Sequence, residues 1–337
     1  MLKSEIGKEM EDFRVRKDVR IRRIDERISC IFLTKPNQQW SNTYLIEDED
    51  LTLIDTGRPE SFSANALKKS LFHLGYCFND IKTIIFTHAH IDHIGGAIAL
   101  ADILTSKNIA YYEAKEKLQD FSRFNKEWIK EFISLLSKCS LSVQQGFAQS
   151  PTYELLKFPE LKGGITIHRG VREGDLIDIG KTKLVVYHTP GHSPWDISLY
   201  ESEKKFLFTG DFITSPQTVF VSTMGSNLDD YLNSLEKVSK ISIDCMFPGH
   251  GKFSKNPYRL FEKAREQIRQ YEDLILDELR NCPMTLHGIT SALFNGCNDP
   301  GIQLFNYGRV DTFLIKLKRE KRISLDNEGK FWTVSTN

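Results

Sequence analysis

A run of histidine and aspartate residues at positions 88–93 has the spacing of a metal-binding motif. The segment THAHIDHIGG contains His88, His90, Asp92 and His93, and it follows the apolar run at residues 81–87. On an extended segment, residues two apart point to the same side, so the imidazoles of His88 and His90 can reach one cation. Asp92 and His93 come after the chain turns, so they can face a second point close to the first.

Three further candidate ligands lie at the ends of later strand-like segments. His192 occurs in HTPGHSP, Asp211 in FTGD and His250 in FPGHG, each beside glycine or proline. Strand ends bring distant residues to one edge of a sheet, and loops there commonly carry functional side chains. An isolated histidine is usually structural, and we assign four to that class: His73, His168, His188 and His287. The combined pattern predicts a site for two metal ions.

The motifs THAHIDH, TPGHS, TGD and PGHG resemble those of the metallo-β-lactamase superfamily, over roughly residues 20–252. The resemblance implies an α/β fold, the four-layer αβ/βα sandwich of that superfamily, with a dinuclear metal centre at one edge. The implied ligands are His88, His90 and His192 for the first metal, Asp92, His93 and His250 for the second, and Asp211 as a bridge between both. Asp55, in LIDTG, matches a family position where a carboxylate orients a ligand imidazole.

Within the superfamily, the pattern is most similar to the glyoxalase II group of hydrolases. Asp92 stands where iron-binding flavodiiron proteins have glutamate, and Asp211 stands where true β-lactamases usually have cysteine. These differences favour hydrolysis over redox chemistry and make antibiotic hydrolysis improbable. The resemblance implies that a metal-bridging hydroxide attacks the substrate, with Asp92 as the catalytic residue that carries a proton to the leaving group. Two divalent ions fit these ligands; zinc fits best, and iron and manganese are chemically plausible.

Short strands and amphipathic helices must position these residues. The predicted strands are at residues 19–34, 41–47, 51–55, 81–87, 165–169, 176–179, 183–188, 206–209 and 245–248. The predicted helices are at residues 62–74, 92–103, 228–240, 257–280, 286–294 and 308–321.

The same pattern predicts three parts of the chain. Residues 1–255 form the metal-binding domain, with a helical insertion at about 113–160; residues 256–281 form a connecting helix; residues 282–337 form a small winged-helix-like domain that ends in a hairpin. Within the insertion, an apolar stripe repeats every three or four residues: Phe121, Phe124, Trp128, Phe132, Leu135 and Leu136. Such a stripe is typical of core packing, and an insertion near a site can also form a substrate wall or lid.

The composition excludes several functional classes. With 40% hydrophobic and 27% charged residues among 337, the chain is not disordered. Lys plus Arg and Asp plus Glu each total 45, so the chain is not a polycation for nucleic acid or membrane. No secretory signal or membrane-spanning stretch is recognisable. The six cysteines lack a CxxC pair, which indicates reduced thiols and a cytoplasmic protein. The oligomeric state stays open.

Three functions compete. The first is hydrolysis of a small ester-type molecule, a thioester or a lactone; Trp195 either walls the substrate pocket or packs beneath its loop. The second is a metal-dependent endoribonuclease or phosphodiesterase, with RNA as partner. Its basic strip would be Lys316, Lys318, Arg319, Lys321 and Arg322, although residues 252–337 carry 14 basic and 11 acidic groups. The third is a DNA-binding regulator with a relic metal fold, which the complete ligand set disfavours.

Overall fold

Two large sheets and one small sheet form the framework of the computed structural model, which describes residues 14–16, 19–33, 41–150, 163–215, 219, 221 and 225–333. The first sheet has eight strands in sequence order: β1 Arg14–Arg16, β2 Val19–Arg23, β3 Ile28–Leu33, β4 Ser41–Ile46, β5 Thr52–Ile54, β6 Thr83–Ile85, β7 Lys107–Tyr111 and β8 Arg169–Val171. The second sheet has the order β13-β12-β11-β10-β9, with β9 Leu176–Asp178, β10 Lys183–His188, β11 Ile197–Glu201, β12 Phe206–Gly210 and β13 Cys245–Pro248. The fold is therefore mixed α/β.

Nine α-helices connect and cover the strands among the described residues. They are α1 Ser61–His73, α2 Ile91–Ala99, α3 Lys115–Gln119, α4 Phe121–Ser137, α5 Leu141–Phe147, α6 Leu228–Val238, α7 Pro257–Asn281, α8 Leu286–Leu293 and α9 Pro300–Arg319. Strands β5 to β8 are parallel, and β12 is parallel to β13. Parallel neighbours require a crossover. The four crossovers contain α1, α2, the three helices α3 to α5, and α6, respectively. The carboxyl ends of β5 and β6 consequently lie side by side, as do those of β12 and β13.

Apolar side chains form two buried clusters, and the second sheet contributes to both. The first cluster joins the eight-stranded sheet to one face of the five-stranded sheet, and it includes Phe208. The second joins the opposite face to helices α4 to α9, and it includes Leu207. Since successive residues of a strand point to opposite faces, the neighbours Leu207 and Phe208 of β12 belong to different clusters. The five-stranded sheet is thereby packed on both faces, which makes it a rigid base for the loops at its edge.

The C-terminal part shares the second cluster with the rest of the molecule. It contains α7, α8, α9 and a three-stranded sheet of order β14-β16-β15, with β14 Met284–Thr285, β15 Ile323–Leu325 and β16 Lys330–Thr333. Leu304, Val310 and Phe313 of α9 are buried in the same cluster as Phe132 of α4. The predicted hairpin is confirmed by the antiparallel pairing of β15 with β16. The domain boundaries at residues 255 and 282 stay predictions.

Several predicted elements have other bounds in the structure. Helix α9 begins at Pro300, eight residues before the predicted start, because Asp299 caps it through the N–H of Ile302. The strand predicted at 165–169 is wrong: strand β8 occupies Arg169–Val171, and Ile165 is buried without belonging to a strand. Strands β7 and β11 were not predicted. Residues 34 and 151–160, at the ends of a predicted strand and of the predicted insertion, lie outside the described residues.

Asp48, just after β4, links the two large sheets through hydrogen bonds to the turn before β10. Its carboxylate accepts from the backbone N–H of Lys181 (3.0 Å) and of Thr182 (2.7 Å), and Arg27 lies 3.3 Å away. Burial acts to raise the pKa of Asp48, but bonds from Thr182 and from the N–H groups of Glu49 and Lys181 outweigh it and lower the pKa to about 2. The ionised carboxylate therefore stabilises the contact between the sheets.

We expect Asp48→Asn to lower the free energy of unfolding by about 1–3 kcal/mol at pH 7. An asparagine amide has one uncharged oxygen, so it cannot accept from the N–H groups of Lys181 and Thr182 with two charged oxygens as the carboxylate does. A carboxyl whose pKa is lower in the folded state stabilises the fold above pH ~4, and this contribution is lost as the pH falls towards 2. Urea unfolding of both proteins between pH 7 and pH 3 would measure the difference, with exposed Glu49→Gln as control. If the difference in the free energy of unfolding between the wild type and Asp48→Asn does not become smaller below pH 4, the ionised carboxylate is not its cause.

Among the described residues, no helix is both long enough and apolar enough to cross a lipid bilayer. All six cysteines lie in the described part and none forms a disulfide, as the sequence predicts.

Candidate metal centre

The seven predicted ligands converge at one edge of the two large sheets. His88 and His90 follow β6, and Asp92 and His93 occupy the first turn of α2. His192 lies between β10 and β11, Asp211 directly follows β12, and His250 follows β13. Each residue is therefore placed by the carboxyl end of a strand or by the first turn of the helix that follows it. The structure brings all seven together.

Three histidines form the first candidate group. The ligand nitrogens of His88, His90 and His192 lie within 4.8 Å of one another. The Nε2 of His192 is 2.8 Å from the Nδ1 of His90. Nitrogens that share one tetrahedral zinc ion at 2.0–2.1 Å are separated by about 3.3 Å, so this group is close to the size that one cation requires.

A carboxylate and two histidines form the second candidate group. The ligand atoms of Asp92, His93 and His250 also lie within 4.8 Å of one another. The Nε2 of His250 is 3.1 Å from Asp92 Oδ2 and 3.4 Å from the Nε2 of His93. This set combines one oxygen with two nitrogens, which suits a divalent ion of intermediate hardness.

Asp211 lies between the two groups. Its Oδ1 is 3.4 Å from His93 Nε2, and its Oδ2 is 3.2 Å from His250 Nε2 and 3.7 Å from His192 Nε2. The side chain is 3% exposed, and His88, His93 and Asp211 form a third set of atoms within 4.8 Å. One carboxylate thus contacts members of both groups, which is the position that a bridging ligand needs.

Burial and charge set the protonation of the ligands. Burial and the neighbouring imidazoles lower the pKa of His90 to about 3 and hold that of His88 well below its usual range. Both rings are therefore neutral near pH 7, the form that binds a cation. Burial acts to lower the pKa of His250 and His93, but the carboxylate of Asp211 outweighs it and raises the pKa of His250 to about 10 and that of His93 well above its usual range. A bound cation would replace these protons.

Among the buried side-chain atoms without a hydrogen-bond partner in the described part of the chain, two belong to ligands of this cluster: the Nε2 of His88 and the Oδ1 of Asp211. A buried polar atom without a partner costs about 1–3 kcal/mol. A divalent cation would satisfy both atoms, and imidazole nitrogens with carboxylate oxygens are the donors that zinc, iron and manganese accept. The residues therefore fit a divalent metal centre.

Asp55 orients two of the histidines, one directly and one through Thr87. The carboxylate contacts His93 Nδ1 at 2.8 Å, and it accepts from the N–H (2.9 Å) and the hydroxyl (2.8 Å) of Thr87. The hydroxyl of Thr87 donates to Asp55, so at 3.0 Å it accepts from the Nδ1–H of His88. In both imidazoles the Nδ1 is engaged, so the Nε2 faces the centre. Asp55 thus makes the orienting contact that the LIDTG motif predicts.

We expect Asp55→Asn to weaken metal binding about 10- to 100-fold with little change in folding. Asparagine has the same shape and tolerates the left-handed φ of 60° at this position. Its amide cannot accept from Thr87 and from His93 together as the carboxylate does. Titration against a chelating dye would measure the affinity, with exposed Asp102→Asn as control. Wild-type affinity in Asp55→Asn would show that the contact does not orient the ligands.

Three features of the site were not predicted from the sequence. Asp196 is buried and accepts from the N–H (2.7 Å) and the hydroxyl (2.8 Å) of Ser193, which closes the loop that carries His192. Burial raises the pKa of Asp196 to about 6. Strand β4 holds the loop of His250, since the amide of Asn42 and the hydroxyl of Tyr44 donate to the carbonyl of Pro248. The spacing of Ser193 and Asp196, three residues apart, was a local signal for their hydrogen bonds. The contact of β4 with Pro248 joins distant segments and has no local signal.

Gly249 is the third feature, because a side chain there would collide with the centre. An added Cβ would lie 2.5 Å from Asp211 Oδ1 and 2.6 Å from His93 Cε1. The glycine in FPGHG therefore lets the backbone approach the cluster closely.

The four histidines assigned to structural roles lie outside the three ligand groups. His188, for example, stacks on Tyr111 with ring centroids 4.1 Å apart, and His287 bonds to the hydroxyl of Tyr307. The rings of His188 and His287 therefore have partners away from the ligand cluster.

A cavity of about 280 Å³ opens beside His90, and Trp195 forms part of its wall. The indole of Trp195 also packs edge-to-face on Phe124 of α4, with centroids 5.4 Å apart. Trp195 therefore lines a cavity and packs against helix α4 of the insertion.

Comparison with known proteins agrees with this geometry. The family profile described as "Metallo-beta-lactamase superfamily" matches residues 40–250. The probable metallo-hydrolase YqjP of Bacillus subtilis is 26% identical over 261 residues, which cover 74% of this chain and 79% of the relative. The atrochrysone carboxyl ACP thioesterase of Aspergillus fumigatus is 22% identical over 326 residues, which cover 89% of this chain and 83% of the relative. A crystal structure of a metallo-beta-lactamase family protein from Thermus thermophilus has a TM-score of 0.77 at 20% identity, covering 93% of this chain and 100% of that one.

Proposed function

This chain belongs to the metallo-β-lactamase superfamily and is an enzyme, and we propose that it is a dinuclear metallohydrolase that cleaves a small ester-type substrate, a thioester or a lactone. The observation that carries the proposal is the convergence of seven candidate ligand side chains, among which Asp211 contacts members of both groups. We assign the first metal to His88, His90 and His192, the second to Asp92, His93 and His250, and the bridge to Asp211.

Two divalent ions bound there, zinc in our proposal, would supply a water of lowered pKa and a Lewis acid for the substrate carbonyl. Proton transfer depends on a residue of the chain itself. Asp92 is in the first turn of α2, where the positive end of the helix favours an anion. Burial acts to raise the pKa of Asp92, but His250 outweighs it and holds the pKa well below its usual range. The carboxylate is thus ionised and can accept a proton and pass it to the leaving group.

Two observations favour an ester, and a thioester in particular. The relative from Aspergillus fumigatus, a thioesterase by name, aligns along most of both chains. The aromatic side chains of Phe124, Trp128 and Trp195 form part of the lining of the cavity beside His90, and such surface suits an apolar acyl group.

A nuclease is the second candidate, but the basic strip of α9 is largely engaged within the molecule. Lys316 is buried and lies 2.6 Å from both Glu272 and Glu320, and Arg322 lies 2.7 Å from Glu272. Arg319 pairs with Asp229. Charges that are neutralised internally contribute little to phosphate binding.

The proposal extends to the architecture of the chain. Packing of the five-stranded sheet on both faces supports the four-layer sandwich of the glyoxalase II-like hydrolases. The order α7, β14, α8, α9 and a hairpin supports a winged-helix-like C-terminal module. Eleven residues of α9 are buried against the rest of the protein, so this helix is poorly placed to enter a DNA groove. A regulator is accordingly the least favoured function.

Elemental analysis of the purified protein, run beside a thioester, a lactone and a phosphodiester, tests the proposal. We expect about two metal ions per chain and turnover of the thioester or lactone. Preferred turnover of the phosphodiester would establish the nuclease instead. If the protein neither binds metal nor turns over any of the three substrates after reconstitution with zinc, manganese and iron, a DNA-binding regulator becomes the favoured function.

A further inference from the structure

We propose that the cavity beside the metal centre is an acyl pocket that takes a neutral, apolar acyl group of medium length. The inference rests on the hydrolase function proposed above and adds the class of acyl group that the site selects. The cavity of about 280 Å³ lies between α4 and the loop that carries His192. Phe124 and Trp128 of α4 line it together with Trp195, and its lining also includes Ala89 and the candidate ligand His90.

The cavity is continuous with the first ligand group. His90 lines the cavity, and its Nδ1 is 2.8 Å from the Nε2 of His192. A group that fills the cavity therefore ends beside the atoms that we assign to the first metal. An acyl chain has this geometry, because its carbonyl carbon is at one end and the remaining carbons extend away from the reacting atoms.

The aromatic wall is held in place by the core. Phe124 packs edge-to-face on Trp195, with centroids 5.4 Å apart. Trp128 stacks on Phe132 at 5.7 Å, and buried Phe132 packs on Phe147 at 5.1 Å. Phe124, Trp128 and Trp195 are only partly buried, so the wall presents apolar surface that an acyl chain would remove from water. The wall is preformed, which favours binding because little ordering is required.

The charges around the cavity exclude a phosphate. Lys117 is the one cation among the described residues that line it, and its Nζ lies 2.7 Å from Glu127. A second carboxylate, Glu131, also lines the cavity. A site for a phosphodiester backbone needs an excess of positive charge. The lining instead suits an uncharged group, and the polar half of the substrate is left on the solvent side.

The volume sets the length of the acyl group. For comparison, an apolar cavity of about 150 Å³ holds one benzene molecule. A cavity of about 280 Å³ therefore suits an acyl chain of medium length, which we place at about eight carbons.

The test uses the metal-loaded, full-length protein with N-acetylcysteamine thioesters whose acyl chains run from two to sixteen carbons. We expect kcat/KM to rise by about three- to fourfold per methylene, to reach a maximum near eight carbons, and then to fall. Phe124→Ala should shift the maximum to longer chains and Phe124→Trp to shorter ones. Ile133→Ala, exposed on the same helix, should leave the profile unchanged.

A binding measurement complements turnover. The S-octyl thioether of N-acetylcysteamine cannot be hydrolysed, and we expect it to change the tryptophan fluorescence of the wild-type protein and much less that of Trp128→Phe. Thioesters cleaved at rates independent of chain length, with both Phe124 variants like the wild type, would overturn the acyl pocket and leave the proposed function standing. If no thioester is cleaved by protein that contains its metals, the thioester function is wrong and the acyl pocket falls with it.

Discussion

Asp211→Ala is expected to lose at least one metal ion per chain and to lower turnover by at least about a thousandfold. The carboxylate of Asp211 contacts His93 and His250 of the second group and His192 of the first, so it links the two groups. In the proposed site, removing it would take away the bridge and leave the imidazoles without the carboxylate that they contact. We expect a larger loss than for any single histidine, because both proposed metal positions include this carboxylate.

Elemental analysis, turnover and melting temperature of Asp211→Ala would test this expectation together. Asp211→Asn keeps the shape and removes the charge, so it separates metal binding from packing. Asp273→Ala, exposed on α7, is the matched control. Full metal content in folded Asp211→Ala would show that the ligand assignment is wrong.

Asp92→Asn is expected to lower turnover by about 10²- to 10⁴-fold while the first ligand group keeps its metal. The carboxylate of Asp92 lies 3.1 Å from His250, and Asp92 belongs to the second ligand group and not to the group of His88, His90 and His192. The amide can still approach a metal through its oxygen, but it cannot carry a proton. The loss should therefore fall on the rate of the chemical step more than on substrate binding.

Chemical rescue would separate proton transfer from metal binding at this position. Added formate should restore part of the turnover of Asp92→Ala if the carboxylate carries a proton, and metal content should be measured in the same samples. Turnover of Asp92→Asn at the wild-type level would rule out the catalytic role of Asp92.

The predicted and observed ends of the helices show which features local sequence signals can predict. Helices α1 and α7 lie within one residue of their predicted positions. For α7 the signals are a cap and a proline, since Asn256 caps the helix and Pro257 begins it. Helix α1 has no side-chain cap, and its prediction came from the spacing of apolar residues such as Leu67 and Leu71, which are buried. Helix α9 was predicted too short because it is buried on several sides, so its apolar residues do not form one clear stripe. Ile165 was assigned to a strand because its apolar character reflects burial in the first cluster, where no strand pairing accompanies it.

The aromatic stripe of the insertion shows the limit of periodicity. Spacing of three and four residues predicts that one face of α4 is apolar, and Phe132 and Leu135 are indeed buried. Phe124 and Trp128 share this face but line the cavity. Periodicity identifies a face and cannot distinguish a core from a pocket, because both bring apolar side chains to the same side of the helix.

Local motifs in the sequence were enough to identify the side chains that meet at the centre, because each motif places a strand end, a turn residue and a ligand within a few positions. How these side chains face one another depends on the packing of distant segments. The position of Asp211 between the two groups, the contact from Asp55 through Thr87 to His88, and the tie from β4 to the loop of His250 all join residues distant in the chain. Such contacts depend on how the two sheets pack, and packing has no signature at short range. The cavity beside His90 belongs to the same class, since α4 and the loop of His192 meet there only after folding.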